Sequence, residues 1–82
     1  DVLEERIQEV RQKVLSGELS PLAYHMEKHQ MEVPTLADYC GLRKRRVRKH
    51  LTPKGYLKIS DEDKMKYAEI FGISSEQLDL TE

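Results

Sequence analysis

Six cations crowd into the stretch Arg43-Lys44-Arg45-Arg46-Val47-Arg48-Lys49, and Lys54 and Lys58 follow, with no Asp or Glu anywhere between Gly41 and Lys58. Guanidinium and ammonium groups at this density do one kind of chemistry well, which is to bind anions. Arginine offers a planar fork of donors that matches phosphate or carboxylate in pairs, and lysine offers a compact point charge. The surrounding chain is acidic. Residues 1–40 carry four Lys/Arg against eight Asp/Glu, residues 41–58 carry eight against none, and residues 59–82 carry two against seven. The segments are therefore −4, +8 and −5 within a chain of net charge −1. A merely solvated helix face is served equally well by mixed signs, whereas like charges three or four residues apart penalise a helix. The run is expected to face something negative, with acidic flanks that repel the same ligand elsewhere and so orient it.

Other chemistry-bearing residues give weaker signals. His25 and His29 stand four apart, a workable metal-ligand spacing that Cys40 or His50 could complete, yet no second pair has zinc spacing. Cys40 is the single cysteine, which excludes an internal disulfide, and it reads as a small core residue rather than a reactive thiol. Tyr39 and Tyr56 could touch a phosphate or pack against a turn. No Gly-rich phosphate loop, Ser/His/Asp set or paired catalytic carboxylates stand out. The expectation is a protein that is not an enzyme and needs no cofactor or metal.

The length of 82 residues sets one small domain with a modest core. With 35% charged and 38% hydrophobic residues, the composition is that of a helical globular chain. No apolar run approaches the roughly 18 residues of a membrane span. The first ten residues, DVLEERIQEV, lack the apolar stretch of a secretory signal, so a reducing, cytoplasmic setting without membrane contact is expected.

Helices must position the basic run. Leu3, Ile7, Val10 and Val14 recur at helical spacing, which predicts an amphipathic helix over 2–16 ended by Gly17, within an N-terminal segment 1–18. Ser20-Pro21 starts a second helix over about 21–30, with Leu22, Met26, Ala23 and Gln30 inward. Glu32-Val33-Pro34 starts a third, with Leu36, Ala37 and Cys40 buried, stopped by Gly41. The basic helix then runs over about 43–51. Setting Val47 and Leu51 inward turns Arg45, Arg48, Lys49 and Thr52 outward. Thr52-Pro53-Lys54-Gly55 reads as a turn. Ser60 caps a helix with Asp61, Glu62 and Asp63 in its first turn and Met65, Ala68, Ile70 and Phe71 as apolar contacts to Gly72. Ser74-Ser75-Glu76-Gln77 has a capping-box pattern for a short helix anchored by Leu78. No stretch reads as a strand.

A helix, a tight glycine turn and a second helix with exposed donors meet the physical requirement of a helix-turn-helix, in which the second helix enters the major groove. Residues 31–78 also resemble the XRE family, the fold of lambda repressor and Cro. The likeness lies in Leu36-Ala37, Gly41, Val47, Tyr67-Ala68 with Ile70-Phe71, and Gly72-Ile73-Ser74 with Leu78. The chain departs from the family pattern in placing Arg43, Lys44 and Arg45 where Ser, Thr or Gln are common, and in the connection after Val47 through Leu51-Thr52-Pro53.

The resemblance implies an all-α, lambda-repressor-like bundle of about five to six short helices over 19–82, with the N-terminal amphipathic helix as an extra. It implies sequence-specific binding of double-stranded DNA by a prokaryotic or phage transcriptional regulator. Lys44, Arg45, Arg48 and Lys49 are then the base-edge candidates, and Arg43, Arg46, Thr52, Lys54 and Lys58 the phosphate candidates. The alternative is a protein-interaction or antitoxin-like module whose basic helix docks on an acidic partner. Duplex RNA ranks third, because its deep, narrow major groove cannot be read by side chains. Regulators of this fold bind as dimers on spaced half-sites, so the Leu3, Ile7, Val10, Val14 stripe either folds back onto its own domain or, with Leu78 and Leu80, contributes to a homodimer.

Overall fold

Proline and glycine set the helix boundaries. In the computed structural model of the chain, residues 2–80 are described; Asp1, Thr81 and Glu82, the outer ends of the 1–18 and 19–82 segments, lie outside the described residues. The described residues form seven helices and no strand: α1 Val2–Leu15, α2 Pro21–Lys28, α3 Val33–Cys40, α4 Lys44–His50, α5 Pro53–Leu57, α6 Asp61–Phe71 and α7 Ser75–Leu78. None is long and apolar enough to cross a membrane. Pro21, Pro34 and Pro53 each occupy the first or second helical position, where a missing N–H leaves no bond unmade. Gly41 ends α3 in the left-handed region at φ 69°, a conformation that a Cβ disfavours.

Capping follows the sequence in two places and departs from it in one. The Ser60 hydroxyl accepts from the Asp63 amide, and Ser74 and Gln77 form the reciprocal capping box expected of them. Ser20 stands at the N-cap of α2, but its side chain makes no cap bond. Its hydroxyl instead donates to the His50 carbonyl at 2.6 Å, while its amide donates to the Leu51 carbonyl at 3.0 Å. Two carbonyls at the end of α4 are thereby satisfied from across the fold.

Thr52–Gly55 is not a turn. Thr52 caps α5, accepting from the Gly55 amide at 3.1 Å, and the chain continues as a short helix. Gly55 is required by proximity: a Cβ there would overlap the Lys49 carbonyl oxygen. The longer connection after Val47 is therefore a helix held tightly against the end of α4.

The core joins Leu22 and Met26 of α2, Leu36 and Ala37 of α3, Val47 of α4, Tyr56 of α5, Tyr67 and Phe71 of α6 and Leu78 of α7. Two inward assignments need correction. Met65 is 63% exposed, so α6 turns Tyr67 and Asp63 inward in its place. Gln30 lies beyond α2, exposed and at φ 54°. On α2, Tyr24 and His25 are buried beside Leu22 and Met26, because α1 covers the helix on one side and α7 on another.

The apolar stripe of α1 folds back onto its own domain. Val10 shares a hollow with Ala23, Met26, Met31 and Leu51, and Leu3 lies with Glu27 and Met31. All four stripe residues are half-buried. Leu78 is fully buried in the core, so it is not available to a partner subunit.

Candidate nucleic-acid interface

The α3–α4 unit is built from local rules. Leu36 and Ala37 bury one face of α3, Gly41 reverses the chain, the Leu42 amide donates to the Ala37 carbonyl at 3.1 Å, and α4 starts after Arg43 with α3 packed against it. Val47 and His50 are the buried residues of α4. With Val47 fixed inward, helical geometry puts Arg45 and Lys49 on the opposite side and Arg48 next to them.

Arg43, Lys44, Arg45, Arg48 and Lys49 are all exposed. None of the five has a side-chain hydrogen bond or ion pair among the described residues. Gly41, Arg43, Arg45, Arg46 and Lys49 line a concavity of about 420 Å³. Three of the first-turn positions of α4 carry cations and none an acid, the reverse of what a helix N-terminus favours. The arrangement lowers helix stability and leaves the donors exposed.

Two of the phosphate candidates are otherwise engaged. Arg46 has its Nε 3.1 Å from Oδ2 of Asp63, whose side chain is 5% exposed. Thr52 donates its hydroxyl proton to the Lys49 carbonyl at 2.7 Å, so that proton is already committed to closing α4. Lys54 lies in α5 and Lys58 just after it, both exposed. Tyr56 is buried and donates to Asp79 at 2.6 Å, which excludes the phosphate role considered for it, while Tyr39 is 67% exposed.

Sequence reasoning missed a polar layer beneath α4. His50 is buried, its Nδ1 sharing a 2.7 Å hydrogen bond with the Tyr67 hydroxyl. His25 is buried with Nε2 donating to the Leu78 carbonyl at 3.0 Å, and His29 stacks on Phe71. His25 and His29 both stack on Phe71 while His50 packs against Tyr67, and no group of three or more potential metal ligands occurs among the described residues. Burial pushes the Cys40 thiol up to about 11, outweighing nearby Lys66, so it remains protonated and unreactive.

Burial also lowers the pKa of both His25 and His50 below the ordinary 6.5, against opposing pulls from the Leu78 carbonyl and from Asp63 respectively. The unfolded chain therefore takes up protons more readily than the folded one. Stability should be full above pH about 6.5 and decline as the pH falls through that value towards the lowered folded-state pKa values. Thermal melts at about pH 7.5 and about pH 5.5 check this: the melting temperature should drop at the lower pH. An unchanged value would mean that both rings protonate without disturbing the fold.

The chain matches no family model, no curated protein and no solved structure.

Proposed function

We propose that the chain is a double-stranded DNA-binding module of the XRE helix-turn-helix type, a cytoplasmic transcriptional regulator that occupies an operator. In this reading α3 braces across the phosphate backbone and α4 enters the major groove. Arg45 and Lys49 are its central base-edge residues, with Lys44 and Arg48 at the sides. Arg43, Lys54 and Lys58 contact phosphates. Support comes above all from one observation: five exposed cations without intramolecular partners, four on a short helix and one at its N-cap, held behind a left-handed glycine turn. Subunits would pair on half-sites about 34–36 Å apart. With the α1 stripe and Leu78 turned to their own domain, DNA itself is the agent that brings two copies together.

Competition in a fluorescence anisotropy titration tests the reading. Duplex DNA should displace a labelled duplex, whereas duplex RNA and polyglutamate of equal charge should displace it far less. Equal displacement by polyglutamate would favour the acidic-partner reading. Within the duplex reading, Arg45→Ala should cost about 1–3 kcal/mol on a selected sequence and relax preference at one base pair. An equal loss on selected and random duplexes would make Arg45 a phosphate contact.

A further inference from the structure

Asp63 is the one buried carboxylate among the described residues, 3% exposed at the start of α6. The helix dipole does not explain its burial, because Asp61 and Glu62 already place acid in the same first turn while remaining exposed. Its amide donates to the Ser60 hydroxyl, but its side chain turns to Arg46 of α4. Oδ2 is buried and receives no hydrogen bond. Arg46 Nε lies 3.1 Å away on a side chain that is itself 55% exposed, so the two form an ion pair at the edge of the core. Removing a carboxylate from water is costly, and a buried pair is weak evidence for stability. Its position gives it another use. Arg46 lines the same concavity as Arg43, Arg45 and Lys49, and it is the cation of that group which is paired within the chain.

We propose that Asp63 is a specificity-determining residue: by holding Arg46 it withdraws one cation from indiscriminate phosphate binding and leaves Arg45 and Lys49 to read the duplex. The inference rests on the reading of α4 as a duplex-binding helix. Non-specific affinity follows the number of phosphates neutralised, whereas discrimination is the ratio of specific to non-specific binding. Releasing Arg46 therefore strengthens binding to any sequence and lowers the ratio.

Asp63→Asn removes the charge and keeps the shape. Anisotropy titrations over a salt series compare it with the wild type, on a random duplex and on a duplex selected from a random pool. The variant should bind the random duplex about five- to tenfold more tightly at 0.1 M salt, with a salt slope steeper by about one unit. Discrimination between the two duplexes should fall. Unchanged or weaker random binding, with an unchanged slope, overturns the assignment of Asp63 and leaves the duplex reading standing. A wild-type protein that binds neither duplex overturns both. Circular dichroism reports whether the variant folds. If it does not, Arg46→Gln decides the matter: it should alter the slope by less than half as much as Arg43→Gln. An equal change would show Arg46 to be an ordinary phosphate contact.

Discussion

Affinity for duplex DNA should fall steeply with salt. Arg43, Lys44, Arg45, Arg48 and Lys49 are exposed and unpaired within the chain, and Lys54 and Lys58 follow on and after α5. If about four to six phosphates are neutralised per subunit, log K against log salt has a slope of about −4 to −5. Between 50 mM and 200 mM salt that amounts to a loss of about 250- to 1,000-fold. Anisotropy titrations at several salt concentrations measure it directly. A slope near zero, or no binding at the lowest salt, would remove the duplex reading. The acidic clusters on α1, including the hollow lined by Glu4, Glu5 and Glu9, sharpen the effect by repelling the duplex from other faces.

The second large effect separates the two sides of α4. Val47 is fully buried in the core, so Val47→Asp forces a carboxylate among apolar neighbours. That costs several kcal/mol, against a total stability of about 4–12 kcal/mol for a domain of this size. Loss of helical circular dichroism, or a melting temperature lowered by tens of degrees, is expected. Lys49→Asp lies on the exposed side and should leave the melt nearly unchanged while abolishing duplex binding. Similar unfolding by both substitutions would show that Lys49 is not on a free face.

What could be read from the sequence was what depends on near neighbours. Leu36, Ala37, Gly41 and Val47 announce themselves through spacing, a left-handed stop and an apolar residue within a basic run, and each occupies the place its local rule assigns. The five free cations were legible for the same reason. Asp63 was not, because its inward turn depends on Arg46 of a helix earlier in the chain, and a first-turn acid has a sufficient local explanation in the dipole. His50 and Tyr67 are each unremarkable polar residues until packing brings them together at 2.7 Å. Ser20 followed by proline is a good start signal, and nothing nearby reveals that its hydroxyl reaches the end of α4. Gly55 reads as a turn residue, since the overlap that requires glycine involves a carbonyl on another helix.

The fastening of α4 bears on the entropy of recognition. Its last carbonyls are bonded by Ser20 and approached by Gly55, and its buried side rests on Val47 and His50. The backbone is ordered before any ligand arrives. Ordering a loose segment of backbone costs about 1–2 kcal/mol per residue, a cost this helix does not meet on binding. What remains to be immobilised is the rotamer freedom of the arginine and lysine side chains, about 2 kcal/mol each at most. On the duplex reading, recognition by α4 is then a matter of freezing side chains on a rigid rod, with little folding coupled to the encounter.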